Sequence, residues 1–154
     1  MTQRLNFYAA APKAIEALVA INPVIEAGTL EHSLMELVKI RASQINGCAN
    51  CLHMHTADAR KAGEREERIY LLDAWRESSM YTDREKAALG WTEALTKVAE
   101  THAPDADFAA VRAQFNDAEI AELTVLIGMI NLWNRIAIGL RAEHPNDVKL
   151  KAAA

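Results

Sequence analysis

An excess of positive charge is missing from this chain, because 17 Lys and Arg residues are outnumbered by 21 Asp and Glu residues and the formal charge is −4. Proteins that bind DNA or RNA cluster basic residues on one face, so no nucleic-acid partner is expected. Unbroken apolar runs are missing as well. The richest stretch, Leu123 to Leu140, is interrupted by Asn131, Asn134 and Arg135. An arginine alone costs about 3 kcal/mol at the bilayer centre, so neither a membrane-spanning helix nor a membrane partner is expected.

Signals for secretion and for disulfide stapling are also scarce. The first residues, Met1 to Asn6, have no apolar core and no small-residue cleavage site, which predicts a cytoplasmic protein. The chain has only 2 cysteines. We predict a single domain spanning residues 1–154. A domain of this length buries a hydrophobic core large enough for stable folding without a disulfide or a metal. A purely structural disulfide is unusual in the reducing cytosol, so the spacing of the two cysteines is expected to carry functional information.

Alternating apolar and polar residues, the pattern of a half-buried strand, are lacking, whereas apolar residues recur at spacings of three and four. The sequence therefore predicts an all-α fold, a single helical bundle of about six or seven helices. The predicted helices are Pro12 to about Ala20, Leu34 to Asn46, Cys48 to Lys61, a short one around Ile69 to Trp75, one capped by Thr82, Phe108 to Phe115, and a last one opening at Asn116.

The closing helix is apolar around nearly its whole circumference, which predicts burial on every side. Either it is the central helix of the domain, or another subunit covers one of its faces. Trp75, Trp91 and Trp133 add large side chains that favour interfaces when they are not internal. We therefore expect an obligate homo-oligomer. The tail from Lys149 to Ala154 is expected to fray.

The reactive residues are concentrated in the segment Cys48-Ala49-Asn50-Cys51-Leu52-His53-Met54-His55. On a helix with about 100° per residue, Cys48, Cys51 and His55 fall within a sector of roughly 60°. Three reactive side chains thus share one face. His53 lies far round the cylinder and is interpreted as a surface or packing residue.

A cysteine reacts as its thiolate. The pKa of a free cysteine thiol is about 8.5, and it falls when the thiol lies at a helix N-terminus or beside a histidine. Asn46-Gly47 offers a cap just ahead of Cys48, and His55 lies one turn beyond Cys51. The reversal at Asn46-Gly47 would also return Glu36 toward His55, where a carboxylate orients the imidazole and raises its basicity. Helical spacing strains a disulfide within this pair, which is typical of labile, catalytic bridges.

Structural alternatives exist for the same residues. Glu36 completes a capping box with Ser33 if the helix begins there. The two cysteines with His55 and Glu36 also resemble part of a zinc site, although structural zinc usually needs a second Cys/His pair. A redox sensor whose disulfide alters assembly is a further non-catalytic possibility. The sequence lacks the βαβ pattern of a thioredoxin-like protein. It also lacks the haem-attachment motif, because Leu52 rather than histidine follows Cys51.

The arrangement E-x11-C-x2-C-x3-H, from Glu36 through Cys48 and Cys51 to His55, resembles the alkylhydroperoxidase-D-like branch of the carboxymuconolactone decarboxylase family. The segment Met129 to Arg135 also resembles the late helix of that family. The best-known hydroperoxidases of this type carry a histidine where this chain has Asn50. The lactone decarboxylases of the wider family generally lack the cysteine pair, so that activity is the alternative branch.

The resemblance implies a helical homotrimer or homohexamer that reduces hydroperoxides without a bound cofactor or metal. Cys51 would become the sulfenic acid, Cys48 would supply a proton and close the disulfide, and Glu36 and His55 would form a proton relay. The implied partners are a small hydroperoxide and an external dithiol or thiol protein as reductant. The helix-dipole argument alone favours Cys48 as the more acidic thiol, so the role of Cys51 rests on the resemblance.

Overall fold

The computed structural model describes residues 2–144, and in this part of the chain it contains nine α-helices, one 3-10 turn and no strand. This confirms the predicted all-α class. The helices are α1 (Phe7–Ala10), α2 (Pro12–Glu26), α3 (His32–Asn46), α4 (Ala49–Lys61), α5 (Glu66–Tyr70), α6 (Asp83–Thr96), α7 (Val98–Thr101), α8 (Asp105–Arg112) and α9 (Asp117–Gly139). The predicted fraying of Lys149 to Ala154 falls outside the described residues.

The predicted starts of the two longest helices of the second half are confirmed. The side chain of Thr82 accepts a hydrogen bond from the Glu85 backbone N–H, and the Glu85 carboxylate accepts one from the Thr82 backbone N–H. Asn116 and Glu119 form the same reciprocal pair at the start of α9. Each such cap stabilises a helix by about 1 kcal/mol, so these starts are fixed locally.

Other boundaries differ from the prediction because they depend on tertiary packing. α2 continues to Glu26 with Pro23 inside it, well beyond the predicted end at Ala20. The predicted fourth helix is α5 followed by a 3-10 turn at Leu72–Ala74. α8 begins at Asp105, directly after Pro104, and ends at Arg112 rather than Phe115. Helices α1 and α7 were not predicted, since each has 4 residues and shows no periodicity.

Helix α3 occupies the middle of the fold and contacts α4, α6 and α9. One of its faces packs Val38 against Leu123 of α9 and Ala88 of α6, within one buried cluster. Its other face places Leu37 and Ile40 in a second cluster, beneath α4 and the 3-10 turn. Since α3 is enclosed on several sides, any functional side chain that it carries is held rigidly.

Ion pairs of Arg41 also hold α3 against its neighbours. The Arg41 guanidinium binds Glu93 of α6 at 2.8 Å and also pairs with Asp73 in the 3-10 turn. Trp75 donates from Nε1 to the same Glu93 carboxylate at 2.8 Å. Trp75 and Trp91 are both buried within the chain, so they belong to the internal case, and the predicted oligomer does not rest on these two side chains.

Helix α9 is the one helix in residues 2–144 that is long and apolar enough to cross a membrane by length and composition. The core helix of a soluble protein passes the same test, and α9 packs its inner face on α3 and α6. Burial on every side is not observed, because Val125, Leu132 and Ile138 are exposed. The central-helix alternative is therefore wrong, and coverage by another subunit stays a prediction.

Candidate active site

The turn between α3 and α4 brings the cysteines into position. Gly47 ends α3 with φ 69°, a left-handed conformation that a glycine adopts without steric cost. Cys48 then has extended backbone angles and is itself the N-cap of α4, since its Sγ accepts a hydrogen bond from the Cys51 backbone N–H at 3.3 Å. The prediction that Asn46-Gly47 caps α4 is thus wrong, because these residues terminate the preceding helix.

Side-chain amides hold this turn against α9. Asn46 donates from Nδ2 to Asn131 Oδ1 at 2.9 Å and to Asn134 Oδ1 at 2.8 Å. Asn134 in turn donates to Ser43 Oγ at 3.1 Å, and Asn131 donates to Thr96 Oγ1 at 3.0 Å. Satisfied polar networks in low dielectric are rigid and specific, so the turn has one defined position.

The late segment of α9 therefore has a mainly structural role. Arg135 donates to the backbone oxygen of Asn131 at 2.8 Å and extends the same network. Asn131 and Asn134 are buried in this network, whereas Arg135 joins it from the exposed side of α9. Trp133, on the neighbouring face of α9, instead lines the cavity described below.

Cys48 and Cys51 are joined by a disulfide, with Cα atoms 5.4 Å apart. Both are buried, but to different extents: Cys48 is 1% exposed and Cys51 is 5% exposed. They pack with Ala42 and Ile130 in one small cluster. Cys51 lines the large cavity of the fold, whereas Cys48 is not part of that lining. The two sulfur atoms are therefore chemically distinct.

Glu36 and His55 make the contact expected from the chain reversal. Glu36 Oε2 lies 3.0 Å from His55 Nδ1, and Glu36 Oε1 accepts a hydrogen bond from Lys39 Nζ at 2.8 Å. Burial raises the pKa of the Glu36 carboxyl, but the hydrogen bonds and charges of His55 and Lys39 outweigh burial, so the pKa lies below its usual value. Glu36 is thus an ionised, buried carboxylate.

The capping-box alternative for Glu36 is wrong. Glu31 is the N-cap of α3, and Ser33 lies inside the helix, so the register required for that box does not exist. His53 is exposed, as predicted, and its ring contacts the ring of His144. It takes no part in the arrangement around the cysteines.

One group of side chains in residues 2–144 has the geometry to hold a metal ion, namely Glu36, His55 and Asp58, whose potential ligand atoms lie within 4.8 Å of one another. Both Glu36 oxygens already accept hydrogen bonds, so ion pairing accounts for the cluster without a metal. The zinc site considered from the sequence needs free thiolates, and here the two cysteines are bonded to each other.

A cavity of about 680 Å³ lies above these residues. Its polar wall comes from α3 and α4 and contains Glu36, Lys39, Cys51 and His55. Its opposite wall is largely apolar and comes from α1, α2 and α9. The apolar lining includes Phe7, Val19, Ile25, Met129, Trp133 and Ile136. A molecule with an apolar body and one reactive polar group fits this division, with the reactive group at Cys51.

The structure adds residues that the sequence analysis missed. Lys39 is three residues after Glu36, and on a helix this spacing puts both side chains on one face. The spacing could therefore have predicted the Glu36–Lys39 pair. Asp58 has the same relation to His55 on α4. No local pattern connects Phe7 or Val19 to the cysteines, since they reach the cavity only through the packing of α1 and α2.

Comparison with known proteins places this geometry in context. The model of the carboxymuconolactone decarboxylase family matches residues 7–94, a segment that contains Glu36, both cysteines and His55. The uncharacterized protein YdfG of Bacillus subtilis is 40% identical over 140 residues, which cover 91% of this chain and 95% of YdfG.

Two solved structures share the fold. ATU0492 of Agrobacterium tumefaciens, a protein of unknown function suggested to be the antioxidant defence protein AhpD, has a TM-score of 0.90 and 49% identity. The match covers 94% of this chain and 99% of that one. A peroxidase-related protein of Ralstonia eutropha with an alkylhydroperoxidase AhpD core has a TM-score of 0.78 at 20% identity, covering 91% and 75% of the chains. This second likeness shows the fold alone.

Proposed function

Since the chain belongs to the carboxymuconolactone decarboxylase family, we propose that it is a thiol-dependent hydroperoxide reductase that serves in antioxidant defence. One observation carries the proposal. The disulfide-forming Cys51 and the Glu36–His55 pair face the same cavity. Lactone decarboxylation, the other activity associated with the family, gives no role to the cysteine pair.

In the proposed reaction, the Cys51 thiolate attacks the terminal oxygen of a hydroperoxide and the O–O bond breaks. The alcohol, or water, leaves with one proton, and Cys51 becomes a sulfenic acid. The Cys48 thiol then condenses with the sulfenic acid, water leaves, and the observed disulfide forms. An external dithiol restores the pair. The cycle requires neither a metal nor a cofactor.

Cys51 is proposed as the attacking residue because its sulfur meets the cavity, while Cys48 is enclosed. The helix-terminus argument favoured Cys48 on grounds of acidity. The N-cap hydrogen bond does favour a Cys48 thiolate, but a substrate in the cavity reaches Cys51. Access therefore supports the assignment that the family resemblance implied.

The Glu36–His55 pair is proposed to move the proton. The ionised Glu36 is assigned as the acceptor of the Nδ1 proton of His55, which leaves Nε2 as the nitrogen that exchanges a proton. Such an oriented imidazole takes the proton from a thiol and returns it to the leaving oxygen. Glu36 and His55 thus act as orienter and base.

The substrate is proposed to be an organic hydroperoxide with an apolar body. Hydrogen peroxide is close in size to a water molecule, which occupies about 30 Å³. It would leave most of the 680 Å³ cavity and its apolar wall unused. Burial of an alkyl or aryl group against Trp133 and Met129 contributes roughly 25 cal/mol for each Å² removed from water, which favours the larger substrate.

Peroxide consumption with dithiothreitol as donor tests the function, using cumene hydroperoxide and hydrogen peroxide in parallel. We expect higher kcat/KM for cumene hydroperoxide, loss of activity in Cys51→Ser, and a selective loss toward cumene hydroperoxide in Trp133→Ala. His53→Ala is the control, since this exposed histidine shares α4 but does not line the cavity. Disulfide formation without multiple turnovers would instead support a redox sensor.

The remaining properties are proposed on the same basis. The protein is expected to act in the cytoplasm as a homotrimer or homohexamer, with an external dithiol as reductant and without nucleic-acid or membrane partners. Val125 and Leu132 are exposed apolar residues on one face of α9, and they form the surface that another subunit would cover.

A further inference from the structure

We propose that the electron donor opens the disulfide by attacking Sγ of Cys51, so that Cys48 leaves as the thiolate. The inference rests on the proposed redox cycle and adds the direction in which that cycle is closed. It assigns Cys51 to both half-reactions, first against the peroxide and then against the donor thiol. Cys48 becomes the leaving group of the second half-reaction.

The first argument is access. A thiolate displaces one sulfur of a disulfide from the side opposite the other sulfur. Cys51 lines the cavity, whereas Cys48 is 1% exposed and packs with Ala42 and Ile130. A thiol that enters the cavity therefore meets Cys51, with Cys48 on the far side of the bond. Attack on Cys48 would require displacement of the core residues around it.

The second argument concerns the leaving group. A disulfide opens faster when the departing thiol has a low pKa. Cys48 is the N-cap of α4, a helix of 13 residues, and its Sγ accepts the Cys51 backbone N–H at 3.3 Å. The helix N-terminus favours negative charge at this position. Because the donor is a backbone N–H, the hydrogen bond is available to the thiolate as soon as it forms.

The electrons and protons balance with a dithiol donor. The first donor thiolate bonds to Cys51 Sγ, and the electron pair of the broken S–S bond moves to Cys48 Sγ, which takes a proton. The second donor thiol loses its proton and attacks the donor sulfur of the mixed disulfide. Cys51 then departs as a thiolate. The donor leaves as a disulfide, and Cys51 is already in its nucleophilic form for the next peroxide.

The direction is measured on the oxidised full-length protein without peroxide. The protein is mixed with excess mercaptoethanol for short times, exchange is stopped with acid, and the intact chain is fragmented in a mass spectrometer. We expect the mercaptoethanol adduct on Cys51 and a free thiol on Cys48. An adduct on Cys48 would overturn the proposal. This measurement uses no peroxide and therefore does not depend on peroxidase activity. If the protein showed no peroxidase activity in a separate assay, that result would contradict the proposed function but not the direction in which the disulfide opens.

Single-cysteine variants give an independent measurement. Cys48→Ser retains the cavity thiol, and Cys51→Ser retains the enclosed one. With an aromatic disulfide reagent that releases a coloured thiolate, Cys48→Ser should react at least about tenfold faster, since access limits thiol exchange. Equal rates, or a faster Cys51→Ser, would contradict the inference. Circular dichroism of both variants checks that the helical fold is intact.

A matched pair of substitutions on α9 tests the path of entry. Ala137 lines the cavity and packs beside the cysteine cluster, whereas Ala121 is exposed on another face of the same helix. Ala137→Leu should slow reduction of the disulfide by dithiothreitol several-fold, and Ala121→Leu should leave the rate unchanged. Equal rates in the two variants would mean that the donor does not reach the disulfide through the cavity.

Discussion

Replacing Glu36 with glutamine removes the charge at the centre of the site with little change in shape. Each carboxylate oxygen accepts one hydrogen bond, from His55 at 3.0 Å and from Lys39 at 2.8 Å. An amide offers one oxygen and one NH2 group, so either His55 or Lys39 then faces a donor. Breaking a buried ion pair costs 3–5 kcal/mol, and because the Lys39 side chain keeps 15% exposure we expect the lower end, about 3 kcal/mol.

The same change should reduce activity by an independent route. Without the carboxylate, His55 loses the acceptor that orients its ring, and a loss of general acid-base help typically lowers rates about 10²–10⁴-fold. Peroxide consumption measures this loss well below the unfolding temperature of the variant. Urea unfolding of the same preparation measures the stability, so the two effects are separated.

The stability loss should depend on pH in a defined direction. The pKa of Glu36 in the folded protein lies below the unfolded value of 4.5. A carboxylate of this kind stabilises the fold above the unfolded pKa, and its contribution is lost as the pH falls through the folded pKa. The stability gap between the wild type and Glu36→Gln should therefore be constant near neutral pH and shrink at pH values below 4.5.

An unchanged rate of peroxide consumption in a clearly destabilised Glu36→Gln would refute the catalytic argument and leave Glu36 a purely structural ion-pair partner. A stability gap that widens at acid pH would refute the electrostatic argument, because it would mean that the folded carboxyl prefers its proton. Lys39→Arg is the matched control, since it keeps a cation beside Glu36 and should retain most activity.

Three further outcomes are expected. In Cys48→Ser, peroxide should still convert Cys51 to a sulfenic acid, which a dimedone probe labels because no second cysteine is present to form the disulfide. Labelling only in Cys51→Ser would mean that the two roles are reversed. His55→Ala should slow peroxide reduction about 10²–10⁴-fold while His53→Ala has no effect, and equal losses would dissociate His55 from proton transfer. Light scattering should give a mass several times the 17.0 kDa monomer, reduced by Leu132→Glu on the exposed face of α9, and a monomeric wild type at micromolar concentration would defeat the prediction.

The parts of the structure that the sequence predicted well are those determined by neighbouring residues. The capping boxes at Thr82 and Asn116 need only four consecutive residues to form, and both were found where predicted. The Glu36–His55 contact was foreseen because a single tight reversal joins the two helices that carry them. Local patterns thus predicted both the helix starts and the Glu36–His55 pair within the polar wall of the site.

The features that escaped prediction depend on distant segments. The apolar wall of the cavity combines Phe7, Val19 and Trp133, which belong to three helices, and nothing in one helix predicts which face another will meet. The position of Cys48 as an N-cap was missed because the third helix was predicted to begin at Cys48 with Asn46-Gly47 as its cap, whereas the helix begins one residue later. The sequence left open whether α9 has an exposed face, because apolar composition alone does not show which sides of a helix the rest of the chain covers.

The amide network around Asn46 has a consequence for how the protein passes between its two oxidation states. Asn46, Asn131 and Asn134 fix the turn with hydrogen bonds that include neither sulfur atom. When the disulfide opens, the backbone therefore has an anchor that does not change, and the chain gains little freedom. Switching then requires small movements of two side chains instead of a refolding of the turn. The two thiols are therefore already in their reactive geometry when a peroxide binds. The entropy of ordering them is lost when the protein folds and is not lost again in each catalytic cycle.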